Sequence, residues 1–185
     1  SLGYIGDRRA IEPLIRGLSD VDDRVRYAAL EALKDPGGTV QGYLVGSLRT
    51  EDKEFRAGVA EALEAAGWEP QTGEELALYL MALDRWAEVE RVGEDALPVL
   101  TEALSDPSIE MRANAVKVIA RIGGGEAVAP LIGALRDDVV VVRKRAERAL
   151  VDMGDSAIPA LTEAAAEALP EVREGLQRII DEIRR

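Results

Sequence analysis

Four stretches of the chain open alike and are followed by the same intervals. "AIEPLIRGL" (10–18), "ALPVLTEAL" (96–104), "AVAPLIGAL" (127–135) and "AIPALTEAA" (157–165) each place alanine shortly before proline, then apolar pairs. A fifth, "VQGYLVGSL" (40–48), lacks the proline. Eight residues after Leu18, Leu48, Leu104, Leu135 and Ala165 stand Arg26, Arg56, Arg112, Arg143 and Arg173. Eleven residues beyond the first four arginines come Gly37, Gly67, Gly123 and Gly154. Several residue types that hold one spacing together mark an internal repeat, and a repeat restricts the chain to stacked copies of one unit.

The unit reads as a pair of helices. Proline in the first turn of helix A loses no hydrogen bond, because that N–H has no partner within the helix. Helix B carries apolar residues at i, i+4, i+7 and i+8: Val25, Ala29, Ala32 and Leu33, then Met111, Ala115, Val118 and Ile119, then Val142, Ala146, Ala149 and Leu150. Those positions form one stripe on a helix. Glycine then ends helix B as a C-cap. One pair cannot bury its whole apolar face, so pairs must stack. Hydrophobic residues make up 47% of the chain and aromatics only 4%, which suits close-packed Ala- and Leu-rich helices.

"IGDRRAIEPLIRGLSDVDDRVRYAALEAL" (5–33) and "GGGEAVAPLIGALRDDVVVVRKRAERALVDMG" (123–154) resemble HEAT repeats, in the short form of phycobilisome-lyase-type HEAT proteins. The likeness covers nearly the whole chain. It implies an all-α fold, an α-α superhelix: a HEAT-like solenoid of about six stacked helical pairs with that family's right-handed turn. It also implies a ladder between repeats, in which a carboxylate before helix B meets the arginine at its start. Six residues before each arginine lie Asp20, Thr50, Asp106, Asp137 and Glu167, so Thr50 departs from the pattern. Aspartate there can also cap helix B. An enzyme needs one site, so pairs that recur in every repeat point to structure.

In that family "LG-x-IGD-x-RA" closes one repeat and opens the next. The opening "SLGYIGDRRA" makes Leu2 and Gly3 the expected tail of a preceding helix B. On that reading residues 1–185 are a single HEAT-repeat solenoid domain, the C-terminal part of a longer array or a trimmed piece of one. The first helix A would then expose an apolar edge. The stretch "EVREGLQRIIDEIRR" has the charged character of a terminal cap.

One repeat breaks the rule. Leu83 to Gly93 is 10 residues, against 19 elsewhere, so nine residues are missing: the A–B turn and the first turn of helix B, arginine included. Both tryptophans fall nearby. Counting back from Gly93 puts Trp86 within one residue of the core position held by Val59 or Ala115, with Val89 at the next, and Trp86 is expected in the core. An indole there can fill the volume that a shortened helix leaves. Trp68 and Pro70 fall in a longer link, with Trp68 expected to cover the joint.

Composition narrows the chemistry. The chain has no histidine and no cysteine, which removes imidazole ligands, histidine bases and thiol nucleophiles together. The enzyme that shares this repeat, deoxyhypusine hydroxylase, uses His-Glu iron ligands, and no histidine is present here to match them. "IGGGEA" (122–127) precedes a helix yet lacks the Lys-Ser/Thr of a phosphate loop, so it reads as the inter-repeat turn. No catalytic residue, metal ligand or cofactor is expected. Net charge is −12, which opposes nucleic acid and disfavours a HEAT-type DNA glycosylase. No apolar run reaches membrane length, and a cytoplasmic location is expected.

The resemblance places helix B along a concave surface. The positions three and six residues after its opening apolar residue are Ala28, Glu31, Gly58 and Glu61 in the first two repeats. In the last three they are Asn114, Lys117, Arg145, Arg148, Gly175 and Arg178, with Arg121 and Lys144 nearby. The inner face should therefore turn from acidic to basic along the chain. This makes Lys117, Arg121, Lys144, Arg145, Arg148 and Arg178 the candidate binding residues, for an acidic or anionic protein or peptide partner. The leading function is a non-catalytic interaction scaffold. The alternative is an accessory subunit or domain of a lyase- or modification-type enzyme whose chemistry lies elsewhere. The plainer reading of the cations is a solvated face with internal pairs, such as Glu147 with Arg143.

Overall fold

The computed structural model describes residues 8–18, 20–33, 39–50 and 52–185. Among them all regular structure is helical, in twelve α-helices that alternate as helix A and helix B. They are α1 (Arg8–Gly17), α2 (Asp23–Leu33), α3 (Thr39–Ser47), α4 (Lys53–Ala65), α5 (Gly73–Ala82) and α6 (Trp86–Val92). Then follow α7 (Leu97–Ala103), α8 (Ile109–Ile122), α9 (Gly125–Ala134), α10 (Val140–Met153), α11 (Ile158–Glu167) and α12 (Pro170–Ile183). The chain divides into two compact units, Ser1–Arg85 and Trp86–Arg185, and the division falls inside the shortened repeat. Leu2 and Gly3 lie outside the described residues.

In the first unit α1 packs on α2, α3 and α4, and α4 packs also on α3 and α5. Ile11, Ile15, Leu33, Leu44, Leu48 and Leu63 are buried there. In the second unit α8 lies against α6, α7, α9 and α10, while α10 reaches α9 and α12. The B helices α8, α10 and α12 thus form one layer and the A helices α7, α9 and α11 the other. Leu100, Ile119, Leu131, Leu150 and Leu161 fill the space between them.

The apolar stripe of helix B is buried throughout α8 and α10. In α2 its opening member is not: Val25 is 41% exposed, while Ala29 and Leu33 are buried. The reason is the residue opposite. A Cβ on Gly17 would lie 3.1 Å from Ala29 and 3.9 Å from Val25, so α1 meets Val25 with a residue that has no side chain to cover it. Along α1, Ile11 and Ile15 are buried, Leu14 is half-buried and Pro13 is exposed; among the described residues of the first unit the exposed large apolar side chains are Val21, Val25 and Tyr27, in and before α2.

The prolines divide into two kinds. Pro98 and Pro159 sit at the first turn of α7 and α11, as their spacing predicts. Pro13 and Pro130 do not: they lie inside α1 and α9, which begin five residues earlier. The difference is local. Before α7 and α11 the chain runs through a 3-10 turn, Gly93–Ala96 and Gly154–Ala157, and the α-helix starts only next to proline. In the Ala-x-x-Pro repeats the α-helix already covers that stretch, and the second-turn proline leaves one carbonyl without its usual donor.

Gly123 and Gly154 end α8 and α10 with φ, ψ of 67°, −151° and 62°, −142°. Only glycine enters that region without strain. A Cβ at Gly123 would meet nothing within 4 Å, so the penalty is backbone strain alone. Gly123→Ala is expected to destabilise the fold by about 2 kcal/mol, read as a lower denaturation midpoint with an unchanged slope.

The arginine that opens helix B, in every repeat but the shortened one, is a clamp on the preceding turn. Its guanidinium donates to the backbone carbonyl six residues back: Arg26 to Asp20 at 2.7 Å, Arg56 to Thr50 at 2.6 Å, Arg112 to Asp106 at 2.9 Å and Arg143 to Asp137 at 2.6 Å. Because the acceptor is main chain, threonine at position 50 does not break the pattern. The last repeat shifts: α11 runs on through Glu167, and Arg173 donates to the carbonyls of Ala165 and Ala168 instead. The aspartates do not cap helix B. Asp20, Asp106 and Asp137 accept the backbone N–H two residues on, each at 2.8 Å. That bond fixes the residue that precedes the helix; Ser108 caps α8 itself.

The ladder between repeats closes at Arg112. Its Nε and Nη2 donate to both oxygens of Asp137, at 2.7 and 3.0 Å, and Nη2 also reaches Asp138 at 2.7 Å. The Arg112 and Asp137 side chains are 10% and 6% exposed, so this pair is shielded from water.

The shortened repeat has the expected form. Helix α6 has only 7 residues. The turn before it needs a left-handed residue, Asp84 at φ 55°, and Arg85 N–H closes on Leu80 O at 2.9 Å. Asp84 also pairs with Lys53 of α4 at 2.8 Å. Val89 is fully buried. Trp86, at the start of α6, is partly buried, and its Nε1 lies out of water with no hydrogen-bond partner among the described residues. Trp68 packs on Tyr79 of α5 with ring centroids 5.7 Å apart.

Candidate protein-binding surface

Residues three or four apart on a helix share a face. That rule puts Lys117 with Arg121 on α8, and Lys144 and Arg145 with Arg148 on α10. The two helices pack side by side, and all five cations line one open groove of about 440 Å³. Val116, Ala120, Val141 and Ala149 add an apolar component, and Asp152 is the one acidic side chain in the lining. Arg178 lies elsewhere. It lines a neighbouring pocket between α9, α10 and α12, and Lys144 borders both cavities.

The cations are partly neutralised from within. Arg121 pairs with Glu90 of α6 at 2.7 Å, Arg148 with Asp152 at 3.0 Å, and Lys144 with Glu147. Arg145 reaches back to the carbonyl of Ala113 at 3.1 Å. Lys117 is exposed, with no ion-pair partner among the described residues. The expected Arg143–Glu147 pair does not form, because Arg143 is held by the carbonyls of Asp137 and Asp138. The three internal pairs are loose: the cationic members are 53%, 74% and 70% exposed, and such pairs add little stability.

In the first unit Ala28, Glu31 and Glu61 are exposed, so that face is acidic where it is open. Gly58 is not part of it. It is buried, and a Cβ there would lie 3.7 Å from the Ile15 carbonyl and from Leu18, where α1 packs on α4. In the second unit Asn114 and Gly175 are half-buried. The wall of the α9–α10–α12 pocket was invisible to the sequence reading. Ile132, Leu135 and Arg136 belong to helix A and the turn after it, and the gap they border is set by how pairs stack. An exposed Val140 was the available signal, since valine at 58% exposure leaves apolar surface open. Among the described residues no group of three or more carboxylates could hold a metal ion. Among them too, no helix is long and apolar enough to cross a membrane.

Stacked A–B helix pairs, all but the shortened one clamped by arginine on the preceding turn, define a helical-repeat protein. The sequence pattern of HEAT repeats matches residues 1–64 and 97–179, and the chain belongs to the HEAT-repeat family. The shortened repeat falls in the gap between the matches. No curated protein matches the chain. Among solved structures it is similar to human deoxyhypusine hydroxylase in complex with glycerol, at 22% identity over 99% of this chain and 76% of that one, TM-score 0.41. A HEAT-like repeats protein of Thermococcus onnurineus NA1 is 14% identical over 96% and 88%, TM-score 0.35. A designed armadillo repeat protein in complex with the peptide (KR)4 is 19% identical over 94% and 99%, TM-score 0.36. With TM-scores below 0.5, none of these likenesses bears on function.

Proposed function

We propose that this chain is a non-catalytic interaction scaffold that holds an acidic segment of a protein partner in the groove between α8 and α10. The observation that carries the reading is the convergence of Lys117, Arg121, Lys144, Arg145 and Arg148 on one groove, in a chain of net charge −12. Carboxylates are repelled by most of such a surface and drawn to a cationic depression, which favours orientation and fast encounter. The loose internal pairs support the same reading. Exposed ion pairs exchange partners at little expense, so Glu90, Glu147 and Asp152 can yield to a partner's carboxylates. The acidic field over the rest of the chain disfavours nucleic acid.

Fluorescein-labelled decaglutamate is the probe, read by anisotropy. Wild-type protein is expected to bind it, more weakly as salt rises. Lys117→Glu, Arg145→Glu and Arg148→Glu together should weaken binding by about tenfold or more. Undiminished binding by that triple variant would overturn the proposal.

A further inference from the structure

Beside the cationic groove lies a pocket that charge alone does not account for. It has a volume of about 390 Å³ and opens between the end of α9, the first turns of α10 and the middle of α12. Ligand pockets start at about 300 Å³. Its wall is aliphatic: Ile132, Leu135, Val140, Val172, Leu176 and Ile179. Gly175 lines it too, although glycine weakens a helix interior relative to alanine. Packing does not ask for that glycine, since a Cβ there would meet only the Arg178 guanidinium, at 3.8 Å. The missing side chain leaves space in the pocket rather than against a neighbouring helix.

Three guanidiniums stand in the lining, together with Lys144 and its ion-pair partner Glu147; that of Arg143 is held by the carbonyls of Asp137 and Asp138. Arg136 and Arg178 are both exposed, and neither is paired with a carboxylate among the described residues. Arg178 reaches only the carbonyl of Glu174, at a long 3.4 Å. An aliphatic hollow edged by unpaired guanidiniums fits a ligand with an apolar body flanked by negative charge. We infer that this pocket receives the anchor of the acidic partner: an aliphatic side chain, leucine-sized or larger, whose flanking carboxylates meet Arg136 and Arg178. The inference rests on the acidic-segment reading of the α8–α10 groove, and Lys144 joins the two by lining both. The apolar anchor supplies affinity and the arginines supply orientation. A simple fatty carboxylate carries one charge. The run of cations from Arg136 and Arg178 through Lys144 to Lys117 suits a peptide with several.

Two labelled peptides separate the possibilities: an acidic glutamate decamer with two central leucines, and its counterpart with serines. The leucine peptide should bind about tenfold tighter and shift the methyl resonances of Leu176 and Ile179. Gly175→Leu fills the pocket and should reduce the leucine peptide to the serine peptide's affinity, leaving the latter unchanged. Arg136→Glu with Arg178→Glu, at exposed positions that do not threaten folding, should also weaken the leucine peptide. Equal affinity of the two peptides would overturn the inference while the groove reading stands, provided that Lys117→Glu, Arg145→Glu and Arg148→Glu together still abolish binding. Binding of neither peptide would overturn both. Displacement of the leucine peptide by an equal concentration of octanoate would assign the pocket to a small amphiphile and overturn it too.

Discussion

Arg112→Ala should destabilise the second unit by about 3–5 kcal/mol, the range for breaking one side of a buried ion pair. The arginine makes two bonds to Asp137 and one to Asp138, and donates to the carbonyls of Asp106 and Pro107. Removing it strands a carboxylate that is only 6% exposed. A typical domain has about 5–15 kcal/mol in total, so the variant should unfold at much lower urea. Lysine should not rescue it, because one ammonium cannot reproduce a bidentate fork. Arg112→Met with Asp137→Leu should recover much of the loss, since apolar residues can replace a buried pair at little net expense.

The same pair sets a pH dependence. Burial pushes the Asp137 carboxyl up, but the hydrogen bond from Arg112, the N–H of Val139 and the charge of Arg112 outweigh it. The group therefore titrates below its ordinary value of 3.8. A folded-state value below the unfolded one gives stability that is fully present above the unfolded value and is lost as pH falls through the folded one. The gap between wild type and Arg112→Ala should be widest near neutrality and should close below about pH 4. A gap that stays constant into acid would mean that the arginine acts only through the backbone carbonyls.

Trp86→Ala is the second large effect, at about 3 kcal/mol, the low end for truncating a large aromatic. The low end applies because the indole is partly rather than fully buried. Trp86→Phe separates volume from polarity. The Nε1–H is already out of water with no partner among the described residues, and an unsatisfied buried donor carries a penalty of about 1–3 kcal/mol. Phenylalanine removes that donor and keeps most of the ring, so it should be close to neutral. Chemical denaturation of the two variants side by side reads both. If Trp86→Ala loses almost nothing, the indole is a surface feature of the shortened repeat and not a filler.

Much of the architecture was legible because stacking forces each repeat to spend the same residues at the same places. The positions of the full-length helix pairs followed from the Leu, Arg and Gly intervals, save the last, which has neither that Leu nor the Gly, and the nine-residue deficit identified the short α6. The arginine's place was legible but its acceptor was not, since a backbone carbonyl has no residue type. That is why Thr50 looked like a fault and is none. Pro13 and Pro130 were misplaced by a turn because the choice between a 3-10 turn and an α-helix before them depends on the preceding loop. Five of the six candidate cations share a groove because helical period fixes a face. Arg178 does not, because the gap between α10 and α12 is set by packing. The Arg121–Glu90 pair joins residues 31 apart in sequence, and no local pattern foretells it.

The most direct test of the scaffold reading is photo-crosslinking in the intact chain. A benzophenone side chain at position 117 and, separately, at position 61 would capture whatever lies within reach, and the captured peptide would be sequenced by mass spectrometry. The expected result is a crosslink from position 117 to an Asp- and Glu-rich segment of a protein partner, weakened by salt and lost with Arg145→Glu and Arg148→Glu, while position 61 gives none. A crosslink from position 61 alone, or from position 117 to a basic segment or a nucleic acid, would contradict it.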